Sequence, residues 1–243
     1  MTAVARGPAR AGRSGRAAAK ERAGRPAPRR APGRPRATDA VDDGAFLDAA
    51  LRSFAVHGYA GVSVRTLSRD LGVSHGWVHQ RFGSKEALWY AAVDHGFGRQ
   101  AADITFDPTI SDPLVQLEDG LRQFLRYSAR HPELTLLMNA EGTQDTERLA
   151  YIDRRYIEPT LAPFVRLLAH LIDQGRARPV PIRTLFLLIA HGATAPFGLV
   201  ALARRLDATD PRAPESVEAH IEAVLRILVD GLSVDAAKEG RGT

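Results

Sequence analysis

Side chains suited to gripping nucleic acid crowd into one short stretch of the chain: Arg65, His75, Trp77, His79, Gln80, Arg81 and Lys85, all between Ser63 and Glu86. Guanidinium and amide groups make paired hydrogen bonds to base edges, whereas Lys and Arg neutralise phosphates. Such contacts work only if one rigid element presents the side chains together, so the residues between them must build that element.

They have the pattern to do so. Ser63 is a good N-cap for a helix from Val64 to Leu71. Thr66 stands where a full capping box would carry Glu or Gln. Leu67 and Leu71 are four apart and share a face, and Gly72 suits the left-handed residue that closes a helix. Val73 then forms a buried hinge, and Ser74 caps a second helix. Val78 and Phe82 are spaced to meet Leu67 and Leu71 across the turn. The opposite face carries His75, Trp77, His79, Gln80 and Arg81, and Gly76 permits close approach. Ser84 caps a further helix, whose first backbone N–H groups can hold a phosphate together with Lys85. This is the layout of a helix-turn-helix reader of double-stranded DNA. His75 and His79 also have the spacing of two metal ligands on one helical face, without further ligands nearby.

The stretch resembles the TetR family of bacterial transcriptional regulators. The resemblance begins at Ala45-Phe46-Leu47-Asp48-Ala49-Ala50-Leu51-Arg52-Ser53-Phe54 and Gly58-Tyr59. It continues through Ser63-Val64-Arg65, Leu71-Gly72-Val73-Ser74, Phe82 and Ser84-Lys85-Glu86-Ala87-Leu88, and so covers roughly residues 41 to 95. It implies that Val64 and Arg65 open a support helix near the DNA, and that Ser63 and Ser74, at the two caps, are DNA-binding positions as well. It implies that His75, Gly76, Trp77, His79, Gln80 and Arg81 lie on the recognition helix, and that Lys85 lies on a phosphate. Two positions depart from the family pattern: Trp77 stands where a small residue is usual, and His79 where Tyr is common. The alternative for Trp77 is that it packs against a neighbouring helix.

Composition frames this reading. The chain has 243 residues, 44% hydrophobic and 25% charged, which suits a soluble globular protein. It has no cysteine, which excludes a disulfide framework and thiolate metal sites and fits a reducing, cytoplasmic setting. Residues 1–36 hold ten Arg and Lys20 against Glu21 alone; with a whole-chain charge of +5, the remainder carries −5. Residues 1–40, rich in Arg, Ala, Gly and Pro, should form a disordered basic arm, and residues 235–243 a disordered tail. Gly33-Arg34-Pro35-Arg36 looks like the core of an AT-hook, in which Arg34 and Arg36 enter a narrow minor groove. A nonspecific polycation explains the same charge. Neither a signal peptide nor a transit peptide is read there.

From residue 85 the pattern is helical. Helices are predicted near 85–104, 114–130, 133–141, 146–171, 180–205 and 214–233, with bends at Pro159, Pro163 and Pro196. Residues 184–203 lack any Asp, Glu, Lys or Arg, long enough for a membrane span. Interior Gly and Pro and bracketing Arg residues favour a buried or interface helix instead. Val217, Ile221, Val224, Leu225, Leu228, Val229 and Leu232 make a broad stripe on the last helix. With the 184–203 segment, it suggests more apolar surface than one chain covers. The family resemblance implies a four-helix dimer interface there, and a ligand cavity among the middle helices. Candidate linings are Phe97, Phe124, Tyr127, His131, Met138, Asn139, Glu141, Tyr151, Tyr156, His170, His191, Thr194 and Phe197.

The expected fold is all-α: an N-terminal three-helix DNA-binding domain over 41–88, then a larger helical ligand-binding and dimerisation domain over 89–234. The expected function is sequence-specific transcriptional regulation by a homodimeric repressor. Its partners would be a palindromic operator and an apolar or amphipathic small-molecule effector, with no cofactor and no membrane. An activator of the same fold, or an architectural DNA binder driven by the arm, would share these features. No Gly-rich phosphate loop, metal cluster or nucleophile elbow points to an enzyme.

Overall fold

The computed structural model describes residues 42–234, and every regular element among them is a helix. The basic arm with Arg34 and Arg36 and the tail after residue 234 lie outside the described residues. In chain order the elements are α1 (Asp43–Gly61), α2 (Val64–Asp70), α3 (His75–Phe82), α4 (Lys85–Asp103), α5 (Pro113–Arg130), α6 (Pro132–Glu141) and α7 (Glu147–Ile152). A π-helical turn, Asp153–Ile157, leads into α8 (Glu158–Asp173). Then come α9 (Ile182–Leu187), a second π-helical turn (Leu188–Ala193), α10 (Ala195–Gly198), α11 (Val200–Leu206) and α12 (Pro214–Leu232).

Local chemistry explains the helix starts. Asp42, Ser63, Ser74, Ser84, Asp112 and Thr146 each accept a hydrogen bond from the first turn of the helix that follows. Each bond satisfies one of the donors left unpaired there. Pro113, Pro132 and Pro214 occupy first turns, where no N–H is needed.

Two apolar cores form. In the first, Phe46, Leu51 and Phe54 of α1 meet Leu67, Val78 and Trp89, then Leu134 and Leu137 of α6 and Ile152 and Tyr156 beyond it. Each such buried side chain contributes about 1.5–3 kcal/mol. Helices α1 to α4 therefore share a core with α6 and the first π-turn. At Gly96 of α4 the approach is close: a Cβ there would come within 2.5 Å of Leu51 and 2.9 Å of Leu134. Only glycine lets α1, α4 and α6 meet so tightly. The second core joins Leu117, Leu121 and Leu125 of α5 to Leu168 and Leu171 of α8, Phe197, and Val217, Ile221, Leu225 and Leu228 of α12.

Three expectations need correction. The predicted 180–205 helix is broken into pieces, and Ile182–Gly198 meets Val200–Leu206 at 82°. Pro196 lacks the N–H that a regular helix would use there, and exposed carbonyls take side-chain donors instead. Arg212 bonds Phe197 O at 2.8 and 2.5 Å, and His220 lies 2.7 Å from Ala193 O. No single helix among the described residues is long and apolar enough to cross a membrane. Secondly, the broad stripe on α12 is largely used within the chain: Val217, Ile221, Leu225 and Leu228 are buried in the second core. The apolar surface left over lies mainly elsewhere, at Leu187, Leu188, Leu199, Leu202 and Leu206, with Ile227 on α12. Finally, Leu71 stays outside the core that Leu67 joins. It sits at the C-cap of α2, outside helical geometry, and is 37% exposed.

Candidate nucleic-acid interface and effector cavity

The turn between α2 and α3 is closed by Gly72, whose φ of 68° places it in the left-handed region. Val73 N–H donates to Ser68 O at 2.9 Å, and buried Ser68 in turn donates from Oγ to Val64 O at 2.7 Å. The Ser74 hydroxyl then accepts from Trp77 N–H at 3.0 Å, fixing the direction in which α3 leaves the turn. Val78 is the inward anchor of α3, 2% exposed. Its outward face presents His75, Gly76, His79, Gln80 and Arg81, all exposed, and Arg65 of α2 is exposed beside the capping Ser63. Val64 is half-buried against the first core.

Two residues expected on the DNA face are otherwise engaged. The Trp77 indole packs edge-on against Phe46 at 5.2 Å and Phe82 at 6.1 Å, so it joins α3 to α1. A ring of that size gains more from the apolar wall than from an open groove. The Arg81 guanidinium donates to Asp43 Oδ2 at 2.6 and 2.9 Å and so braces α3 against the start of α1. Lys85 remains at the mouth of α4, where Ser84 Oγ accepts from Ala87 N–H at 3.0 Å. Its ammonium donates to Ala60 O at 3.3 Å and lies 4.7 Å from the centre of the Tyr59 ring. The Arg148 guanidinium also lies over the Tyr59 ring, 4.2 Å from its centre.

A cavity of about 130 Å³ lies at the seam between the two cores. Phe97 and Gln100 of α4, Leu134, Thr135 and Met138 of α6, and Tyr156 line one side. Leu117, Leu121 and Phe124 of α5, Leu168 of α8, Leu185 and Phe186 of α9, and Leu228 of α12 line the other. A more open groove of about 520 Å³ continues outward past Met138, Asn139, Ile157 and His191. Of the predicted linings, Phe97, Phe124, Met138, Tyr156 and His191 reach the cavity and Asn139 reaches the groove.

The others have different work. Tyr127 is buried in the first core, its hydroxyl 3.3 Å from Gly96 O. Thr194 donates to Ala190 O inside the second π-turn, and Phe197 is buried in the second core. His131 stacks against Tyr127. His170 lies beside Gln174 on the exposed side of α8. Glu141 is buried and paired with Arg148 at 3.0 and 3.2 Å. Tyr151 turns away from the cavity and donates to Asp94 Oδ1 at 2.7 Å.

Tyr156 donates to the same Asp94 oxygen at 2.6 Å. Residues five apart converge because the chain between them is π-helical, with i to i+5 periodicity. Burial and then the hydrogen bond to Asp94 push both phenols up to about 12. A raised phenol pKa favours the fold below its unfolded value near 10, and the contribution is lost as pH climbs through about 12. Asp94→Asn removes the carboxylate, so both phenols should ionise at lower pH. Absorbance at 295 nm, followed from pH 8 to 13, should show Tyr151 and Tyr156 titrating late in the parent and earlier in the variant, while Tyr127, whose phenol burial also pushes up, stays late in both. An unchanged titration curve would mean that Asp94 does not govern them.

Sequence reasoning missed the polar linings Gln100, Thr135 and Thr160. Gln100 lies three residues beyond Phe97 and Thr135 three before Met138, so helical spacing was a usable signal. The contact of Tyr59 with Lys85 and Arg148 had none, because Arg148 comes from a distant element.

Comparison with known proteins identifies the family. A family model described as bacterial regulatory proteins, tetR family, matches residues 46–92. The chain is 32% identical over 152 residues to the HTH-type transcriptional repressor AcnR of Corynebacterium efficiens, spanning 59% of this chain and 73% of that protein. It is 27% identical over 183 residues to the HTH-type transcriptional regulator BetI of Rhizobium meliloti, spanning 73% and 82%. Among solved structures, the ketosteroid transcriptional regulator KstR2 of Mycobacterium tuberculosis is similar with a TM-score of 0.60. The identity is 19%, over 79% of this chain and 95% of that one. A TetR family regulator from Marinobacter aquaeolei VT8 is similar with a TM-score of 0.59 at 20% identity, over 79% and 95%. At those identities the structural likeness is one of fold.

Proposed function

The chain belongs to the TetR family of bacterial regulatory proteins and is a DNA-binding transcriptional regulator, and from that premise we propose that it is a homodimeric repressor released from its operator by a small molecule. The observation that carries the reading is the position of the cavity. Phe97 and Leu134 line it, and the same two helices clasp α1 at Gly96. Asp48 of α1 adds polar ties to α4, 2.9 Å from His95 and 2.8 Å from Arg99. A ligand that changes the spacing of α4 and α6 therefore moves the recognition helix with them.

Dimerisation is supported by the apolar side chains left exposed on α9, α11 and α12, with Leu206 82% and Ile227 71% exposed. A two-fold protein sets two recognition helices about 34–36 Å apart, matching half-sites one helical turn apart. On the DNA side, His75, Gly76, His79 and Gln80 would face the bases, with Arg65 and Lys85 on the backbone. Repression rather than activation is supported by the likeness to AcnR, named a transcriptional repressor.

Selection of bound fragments from a random DNA library, at about 150 mM salt where nonspecific attraction is screened, tests the reading. The expected product is a palindrome with half-sites about 10 base pairs apart. Operator affinity and effector affinity should then weaken each other by the same factor. A non-palindromic motif, no motif, or an effector that binds without weakening the operator would contradict it.

A further inference from the structure

The inner cavity carries no Asp, Glu, Lys or Arg on its wall; Asp153 and Arg183, of opposite charge, line only the outer groove. An ionised group drawn inside would lose its hydration with no counter-charge to replace it, so the buried part of a ligand must be neutral. Among the polar groups on the wall, the Tyr156 hydroxyl is already donated to Asp94. The neck between cavity and outer groove is marked by His191, which lines both. His191 Nδ1 lies 2.5 Å from Asn139 Oδ1. An amide oxygen only accepts, so the ring proton sits on Nδ1. Burial lowers the His191 pKa below its ordinary value, which keeps the ring neutral near pH 7. Nε2 then has a lone pair and, among the described residues, no partner.

We propose that the effector is an uncharged amphiphile, with an apolar body in the inner cavity and a hydroxyl that donates to His191 Nε2 at the neck. The inference rests on the reading of this cavity as the effector site. It sets the ligand apart from carboxylates and from polyols. The former would bring a second acceptor against Nε2, and the latter would leave most of their hydroxyls unpaired against an apolar wall. The wall accommodates a compact hydrocarbon unit, comparable to the benzene-sized guests of apolar cavities of about 150 Å³, and the rest of a longer molecule extends into the groove.

The test compares 1-octanol, 1-methoxyheptane and octanoate by calorimetric titration of the full chain at pH 8. Octanol and the ether have the same heavy atoms, but only the alcohol can donate. Octanol is expected to bind about tenfold tighter than the ether, the effect of one hydrogen bond, and octanoate weaker still. In His191→Leu the alcohol-to-ether ratio should fall to about one, with ether affinity changed little; His191→Phe keeps the ring volume and should behave alike. Equal binding of alcohol and ether to the parent, octanoate binding as tightly as octanol, a ratio unchanged in both variants, or no binding of any probe would overturn the proposal. Operator release is measured separately by fluorescence anisotropy. Octanol that binds with the expected preference but leaves the operator bound supports the ligand class and counts against the induction mechanism alone.

Discussion

Arg148→Ala is expected to destabilise the fold by about 3 kcal/mol or more and to lower the melting temperature by roughly 6–12 °C. The reason is the partner it abandons. Glu141 is the last residue of α6, its carboxylate only 4% exposed, and Arg148 Nε donates to both its oxygens at 3.0 and 3.2 Å. Without the guanidinium, a buried carboxylate is left unpaired, the most damaging way to break such a pair. The guanidinium also covers the Tyr59 ring at 4.2 Å and lies 5.9 Å from the centre of Trp89. Loss of that stacking adds on the order of 1 kcal/mol. Arg148→Lys keeps the charge but not the planar stack, so it should fall between the two. Combining Glu141→Gln with Arg148→Met removes both charges and should recover most of the loss. Urea unfolding of the four proteins checks the series. If Arg148→Ala unfolds at the parent midpoint, the pair is not coupled to folding and the premise fails. The contact has a second consequence: Lys85 lies over the same Tyr59 ring, so the same substitution should loosen the start of α4, the end proposed to face the DNA backbone.

The parts of this molecule that are legible in the sequence are those fixed by neighbours in the chain. Ser63, Ser74 and Ser84 cap their helices through bonds three residues long, and Gly72 closes its turn by its own backbone angle. Those signals survive any tertiary arrangement, and they make the helix-turn-helix readable from the residues alone. Several helix starts after residue 85 are equally plain, since Pro113, Pro132 and Pro214 mark them directly. What the pattern does not carry is the partner of each apolar or aromatic side chain. Trp77 has the right place on α3 to face DNA, and only the position of Phe46, 31 residues earlier, turns it inward. Tyr151 and Tyr156 both look like cavity residues by spacing. The π-turn between them sends both hydroxyls to Asp94, and no periodicity in the sequence announces that turn. The bend of 82° after Gly198 is similar: Pro196 foretells a break, but the donors that make so sharp a break tolerable come from Arg212 and His220.

Gly76→Leu should leave the protein folded and nearly abolish specific DNA binding. Gly76 is the second residue of α3, exposed, and a Cβ built on it meets nothing closer than Ser74 Oγ at 3.9 Å. The free protein therefore has room for a side chain. Replacing glycine inside a helix even favours the fold, by up to about 1 kcal/mol. The conflict arises only on DNA, where the N-terminal residues of a recognition helix approach base edges most closely. A leucine there holds the helix away from the groove and withdraws its neighbours His75, His79 and Gln80 together. Each well-made base contact contributes about 1–3 kcal/mol of discrimination. With two recognition helices in the proposed dimer, the loss of operator affinity should be on the order of a hundredfold or greater. Nonspecific binding, which depends on phosphate neutralisation, the role proposed for Arg65 and Lys85, should change far less and keep its salt dependence. The two quantities are separated by anisotropy titrations on operator and scrambled duplexes, with melting curves of the free proteins alongside. A variant that melts like the parent, binds scrambled DNA normally and has lost the operator places the first turn of α3 in the groove. Parent-like operator affinity would instead mean that this turn stands clear of the DNA, and that α3 reads bases through its later residues, His79 and Gln80.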